Sequence, residues 1–204
     1  MAGLWLAELS MIDAETMGRI VDFHGHMCPG LAMGIRAAEV ALAEIGPHSV
    51  DEEVVAVVET DMCGVDAIQF LTGCTFGKGN LIHLDYGKNA YTFVRRADAR
   101  AIRISGRPRR SGAAPLGDGP GDEAPDGQER SPASMEERSE AILAAPIDEL
   151  YEVRTVDAVV PPTARVFASL DCASCGEATM ETRIHLLDGR RLCPPCFERA
   201  VAED

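Results

Sequence analysis

The sequence predicts a mixed α+β domain followed by a small four-cysteine unit, and three observations support this. Apolar residues recur at helical spacing from Leu31 to Ile45, which is typical of an amphipathic helix. Runs of β-branched residues, such as 54–58, predict buried strands. Two Cys-x-x-Cys pairs follow at 172–175 and 193–196. The chain therefore combines helices and strands in one core with a separate cysteine-rich segment.

The composition fits one globular domain with a small appendage. The chain has 204 residues, of which 46% are hydrophobic, and this is enough for a real core. A formal net charge of −14 argues against general binding to nucleic acids or anionic membranes, because phosphate attraction needs clustered Lys and Arg. No apolar run approaches the roughly 20 residues that span a bilayer. We predict a cytoplasmic protein with no membrane association.

The stretch 23–30 holds the first candidate site. His24, His26 and Cys28 occupy alternate positions, so in an extended segment they would project to one side and could converge on a metal. Pro29 suits the first position of a helix, which places Cys28 near the cap. A helix N-terminus stabilises an anion, and we therefore expect the Cys28 thiol to ionise more easily than usual.

Apolar patterns and turn residues predict the other core elements. A capping box of Ser10 and Asp13 opens a first helix over 10–23, and Gly46 helps to end the second. Gly34, on the first turn of the second helix, allows close backbone packing. Strands are predicted at 53–59, 81–84, 90–95, 100–104 and 150–160, with a short helix over 135–145.

A second thiol, Cys63, lies where the strand 53–59 gives way to a helix. Asp66, one helical turn from Cys63, is a candidate acid/base or extra metal ligand. Lys78 is a candidate for neutralising an anionic substrate. On spacing alone Cys74 belongs to the core. The isolated histidines are interpreted as structural or surface residues: His48, His83 and His185.

A glycine-rich turn with incidental polar groups explains the core histidines and cysteines about as well as a metal site does, on residue types alone. A different kind of segment follows the predicted core strands. Between Ser105 and Ser134, 11 of 30 residues are Gly or Pro and none is aromatic. Such a composition does not offset its ordering entropy, so it predicts a disordered insertion.

The segment 166–204 carries the most specific motif. Cys172 and Cys175 are followed, after 17 residues, by Cys193 and Cys196, a spacing that matches a tetrahedral structural zinc site. The turn 187–190 is predicted to bring the two pairs together as a hairpin. A terminal helix over 197–201 places Cys196 at its start. The alternative is two unrelated redox Cys-x-x-Cys pairs.

Two long motifs resemble the E-subunit family of formylmethanofuran dehydrogenase. They are Phe23-His-Gly-His-Met-Cys-Pro-Gly-Leu-Ala-Met-Gly34 and Cys63-Gly-Val-Asp-Ala-Ile-Gln-Phe-Leu-Thr-Gly-Cys-Thr-Phe-Gly-Lys-Gly-Asn-Leu81. The resemblance implies a thioredoxin-like core with a mixed sheet flanked by helices, a treble-clef zinc finger and a homodimer. It also implies a metal-binding active site at His24, Cys28 and Cys63, with His26 and Cys74 nearby.

We therefore predict a core of this family over 1–104, a disordered insertion over 105–134, a helix and strand that complete the core over 135–165, and a zinc finger over 166–204. The insertion is longer than the resemblance leads us to expect.

The leading hypothesis is a metalloprotein with zinc or another transition metal in the core, held by His24, His26, Cys28 and Cys63, and a structural zinc in the tail. Whether it is an enzyme stays open at this point; an enzymatic function would make it a component or relative of formylmethanofuran dehydrogenase. A second hypothesis is an accessory or metal-delivery protein that docks on a molybdenum or tungsten redox enzyme of one-carbon metabolism. A third is thiol redox chemistry by Cys28 and Cys63.

Overall fold

The structure is a computed structural model that describes residues 12–107 and 132–202. Contacts between residues divide the chain into two compact units, Met1–Thr163 and Ala164–Asp204. The predicted cap Ser10 and residues 108–131 of the predicted insertion lie outside the described residues. No helix in the described part of the chain is long and apolar enough to cross a membrane.

Three helices of the first unit surround the candidate site: α1 Ala14–His24, α2 Pro29–Glu44 and α3 Gly64–Thr72. Helix α1 begins later than predicted, because Asp13 is its N-cap and the Asp13 carboxylate accepts a hydrogen bond from the Thr16 backbone N–H at 2.7 Å. Gly25 ends α1 in the left-handed region with φ 102°.

Five strands form one mixed sheet: β1 Val54–Val58, β2 Leu81–His83, β3 Ala90–Arg95, β4 Ala101–Gly106 and β5 Tyr151–Thr155. The strand order is β2-β1-β3-β4-β5, with β1 and β2 parallel and the other pairs antiparallel. Helices α4 Pro132–Ala144 and α5 Ile147–Leu150 precede β5, and α4 contacts α2. The predicted mixed α+β fold with a helix-flanked sheet is confirmed, whereas the thioredoxin-like topology stays a prediction.

Two predicted boundaries differ from the structure at the sheet edge. Strand β4 continues to Gly106, since Ser105 and Gly106 pair with Glu152 and Tyr151 of β5. Strand β5 ends at Thr155 rather than near residue 160. The two prolines at 161–162 have no backbone N–H to extend a ladder.

Helices α2 and α3 touch backbone to backbone at two glycines, as the position of Gly34 led us to expect. A Cβ atom on Gly34 would lie 2.2 Å from the Gly64 carbonyl oxygen, and one on Gly64 would lie 2.7 Å from the Tyr91 hydroxyl. Tyr91 in turn packs edge-on against Tyr151, whose hydroxyl donates to the Met33 carbonyl at 2.9 Å. The crossing is thus enclosed by the sheet and has no room for a side chain.

The second unit is built from short elements: β6 Ser169–Asp171, β7 Ala178–Met180, a 3-10 turn Glu181–Arg183, β8 His185–Leu187, β9 Arg190–Leu192 and α6 Pro194–Ala202. The predicted hairpin turn is confirmed, because β8 pairs with β9 and Asp188 and Gly189 have φ of 51° and 75°. Helix α6 begins at Pro194, so Cys196 lies within its first turn rather than at its start.

Replacing Gly34 with Ala is expected to destabilise the first unit strongly. The added methyl group collides with the backbone of Gly64, which cannot rotate away as a side chain can, so the cost should be at the upper end of the roughly 1–3 kcal/mol typical of overpacked cores. Denaturant unfolding measures the change.

Gly18→Ala is the matched control for this prediction. Gly18 is also in a helix, and a Cβ there meets nothing within 4 Å, so the substitution should raise the free energy of unfolding by roughly 0.5–1 kcal/mol. Equal effects of the two alanines would contradict the close helix crossing.

Candidate metal centre

Three helix ends bring together one histidine and two cysteines. His24 is the last residue of α1, while Cys28 and Cys63 immediately precede α2 and α3 as their N-caps. One ligand atom from each of the three residues lies within 4.8 Å of the other two. The structure therefore unites residues that are separated by 39 positions in the sequence, from His24 to Cys63.

Cys28 is the N-cap that the sequence predicts. Its backbone is extended, with φ −142° and ψ 161°, and its Sγ accepts a hydrogen bond from the Leu31 backbone N–H at 3.3 Å. The prediction of easier ionisation is wrong for the metal-free thiol. Burial raises the pKa of Cys28 to about 11, and the neighbouring Cys63 adds to the rise, so the stabilising N–H of Leu31 is outweighed.

The predicted extended alternation of His24, His26 and Cys28 is also wrong. His24 is helical and Gly25 is left-handed, so the chain doubles back and brings His24 Nε2 to 3.8 Å from Cys28 Sγ. His26 is exposed, and its ring centroid lies 5.1 Å from that of His24. The group of converging ligand atoms contains His24 and Cys28, with Cys63, but not His26.

Asp66 is the hydrogen-bond partner of His24. The His24 Nδ1 atom lies 2.7 Å from Asp66 Oδ2. With the proton on Nδ1, the ring donates to the carboxylate and presents the lone pair of Nε2 toward Cys28. Metal-binding histidines typically donate their second nitrogen in this way. The sequence places Asp66 as an acid/base or a ligand, and its pairing with His24 was not predicted.

Gly30 keeps the space between the two thiols open. A Cβ atom on Gly30 would lie 3.2 Å from Cys63 Cβ and 4.0 Å from Cys28 Sγ, so a side chain would crowd the sulfur atoms. Two thiols and one imidazole are donors that suit zinc and other soft or borderline transition metals. The residues present thus fit a metal of this class.

Cys74 and Lys78 do not join this group. Cys74 is fully buried and its thiol donates to the Val54 carbonyl at 3.4 Å, while Lys78 Nζ donates to the Ser49 carbonyl at 2.9 Å. Both contacts are near the start of β1, whereas Cys63 follows its end. Helix α3 also separates Cys74 from Cys63 by roughly 13 Å. Both residues therefore have structural contacts far from the three ligands.

The second unit holds a group of four cysteines, Cys172, Cys175, Cys193 and Cys196, whose sulfur atoms lie within 4.8 Å of one another. The backbone N–H groups of Cys175, Cys193 and Ser174 lower the pKa of Cys172 to about 6. The Arg199 guanidinium donates to Cys196 Sγ at 3.0 Å. A thiolate at neutral pH is the form that binds zinc.

Comparison with known proteins identifies both units. Residues 23–152 match the family described as FmdE, molybdenum formylmethanofuran dehydrogenase operon. The chain belongs to the FmdE family. Residues 165–202 of this FmdE-family chain match the prokaryotic dksA/traR C4-type zinc finger. The resemblance seen in the sequence is confirmed, and the four-cysteine group with its zinc-finger match supports zinc in the tail.

Two individual proteins are similar to the FmdE-family chain. A probable S-adenosyl-L-methionine-binding protein of Archaeoglobus fulgidus is 33% identical over 203 residues, which cover 87% of this chain and 51% of the relative. The chain thus spans about half the length of that curated relative. The crystal structure of an FmdE-like protein of tungsten formylmethanofuran dehydrogenase type from Syntrophus aciditrophicus superposes with a TM-score of 0.60 at 23% identity, over 91% of this chain and 92% of that one. This second likeness concerns the fold.

Replacing Cys172 with Ser is expected to release zinc from the tail and to unfold the second unit. Structural zinc supplies about 10–16 kcal/mol of binding free energy in zinc-finger peptides, and this unit has only a small apolar cluster around Leu192 to replace it. Zinc analysis and the dispersion of backbone amide NMR signals from 169–202 measure both effects. Ser174→Ala, in the same turn, is the control and should keep its zinc. A folded second unit without metal would contradict the prediction.

Proposed function

We propose that the FmdE-family unit holds a catalytic transition metal, by preference zinc, through His24, Cys28 and Cys63. The observation that carries the proposal is the convergence of three ligand atoms within 4.8 Å, with the second nitrogen of His24 bound to Asp66. Three protein ligands are typical of catalytic zinc sites, which keep a fourth position open, whereas structural sites have four. When bound, such a metal polarises a carbonyl group or lowers the pKa of a water molecule.

The chain's own residues divide the remaining work. Asp66 fixes the orientation and tautomer of His24, so we assign it a positioning function. His26, exposed beside His24, is the nearest titratable side chain outside the ligand group and is our candidate proton acceptor. Gly30 leaves space between the sulfur atoms. The site is a catalytic centre in this proposal and the tail zinc is structural.

The second unit is proposed to be a treble-clef zinc finger that binds a protein partner. Cys172 and Cys175 lie in the turn between β6 and β7, and Cys193 and Cys196 lie at the start of α6, which is the arrangement such a finger requires. The net charge of −14 favours a protein over a nucleic acid. The link of the FmdE family to a molybdenum enzyme operon makes a molybdenum or tungsten redox enzyme our candidate partner. The homodimer stays a prediction.

Metal content tests the core site. We expect two metal ions per full-length chain after anaerobic purification, and one after Cys28→Ser and Cys63→Ser are combined, because serine is a poor zinc ligand. Elemental analysis of the purified proteins gives the count.

Cys74→Ser is the control for this measurement, since Cys74 bonds to a backbone carbonyl near the start of β1 and should leave both metals in place. Two metals in the double variant, or one metal in the native chain that disappears with Cys172→Ser, would overturn the core metal site.

Asp66→Asn is expected to lower the affinity of the core metal by roughly 10- to 100-fold. The amide cannot match the carboxylate as a partner for His24 Nδ1, so the ring loses its fixed orientation. Competition with a chromophoric chelator measures the affinity. Asp61→Asn changes an exposed carboxylate in the loop before α3 and should have no effect. Equal affinities for the native and Asp66→Asn proteins would remove the positioning function.

Thiol redox chemistry is the second candidate function, because the sulfur atoms of Cys28 and Cys63 are close together and both residues are free cysteines. Oxidation would join the two sulfur atoms and remove two hydrogens, which mass spectrometry of a peptide digest detects. A reversible disulfide in protein whose core lacks metal favours this function. Metal that protects both thiols from alkylation favours the metal centre.

A further inference from the structure

A cavity of about 460 Å³ lies beside the candidate core site, between His26 and Met27 on one side and helix α4 on the other. Its volume falls within the range of roughly 300–1,000 Å³ that is typical of small-molecule sites. Helix α4 comes from a distant part of the chain, after residue 131, and packs on α2, the helix that Cys28 caps. The cavity thus lies where two separate parts of the first unit meet.

The walls of the cavity are apolar, and its charged groups are acidic. Met27, Met135 and Leu143 supply partly buried apolar surface, while Glu136 and Glu140 lie one helical turn apart on α4. The nearby Ser139 hydroxyl donates to the Met135 carbonyl at 2.8 Å, so its proton is already used. The lining residues that the structure describes include no lysine or arginine. Such walls attract a positive charge and repel an anion.

His26 connects the cavity to the core site. It is part of the cavity wall, and its ring centroid lies 5.1 Å from that of His24, which is a ligand in the proposed metal centre. A molecule in the cavity therefore lies next to the one titratable wall residue that borders the ligands. His26 can accept a proton from such a molecule without leaving its position.

We propose that this cavity is the substrate pocket of the core site and that it takes an organic cation, a substituted ammonium group on an apolar body. The inference rests on the proposed function, because it assigns a substrate class to that site. Glu136 and Glu140 attract the charge, and the methionine and leucine side chains contact the apolar body. An anionic substrate would meet two carboxylates and no cation in this pocket, which argues against the substrate class that Lys78 suggests in the sequence.

Binding of benzyltrimethylammonium to the full-length, metal-loaded protein tests the proposal, with benzyl alcohol and benzenesulfonate as neutral and anionic probes. We expect the cation to bind at least tenfold more tightly than the anion and to shift the ring-proton NMR signals of His26 but not those of His48. Combined Glu136→Gln and Glu140→Gln should weaken binding of the cation at least about threefold, since an exposed charge pair contributes up to about 1 kcal/mol, or fivefold.

Glu137→Gln is the matched control, because Glu137 is an exposed carboxylate on the same helix outside the cavity lining. Equal binding of the three probes, equal weakening by Glu137→Gln, or an unchanged His26 signal would each overturn the proposal. Metal analysis of the same samples separates the two failures. A chain with two metals and no preference for the cation loses only the pocket, whereas a chain without a core metal loses the proposed function itself.

Discussion

The backbone contact between Gly34 and Gly64 is the constraint on which the core site depends. Helices α2 and α3 are stiff, so the point where they touch fixes the separation of their first turns, which Cys28 and Cys63 precede. A side chain at either glycine would move the helices apart by more than the roughly 0.5 Å that a preorganised site tolerates. Fold stability and ligand geometry therefore depend on the same contact.

Helix α3 has a larger part in the site than its nine residues suggest. Gly64 sets its distance from α2, Cys63 precedes it with a thiol, and Asp66 on its first turn holds His24 at the end of α1. A carboxylate on the first turn also interacts favourably with the helix dipole. One short element thus positions a ligand and the orienting partner of a second ligand, and any shift of α3 changes both together.

Local patterns in the sequence predict those elements whose determinants are local. The apolar periodicity of α2, the β-branched run of β1 and the spacing of the four tail cysteines each lie within one segment. The failures concern non-local effects. Alternation of His24 and Cys28 requires an extended backbone, but α1 continues through His24. The partner of His24 lies 42 residues away. The pKa of Cys28 depends on burial by the whole first unit, which a capping position does not reveal.

The two cysteine groups differ in what each unit requires of a metal. In the tail, backbone N–H groups bring the pKa of Cys172 to about 6, and the buried cluster consists of Leu192 and cysteines alone, so metal binding and folding are one process. In the core, the Cys28 thiol has a pKa of about 11 and must give up a proton to its metal, while a large apolar cluster maintains the fold. Because the core does not depend on a metal for its stability, its ligands are free to leave a coordination position open. This difference is the physical basis for assigning structure to the tail site and chemistry to the core.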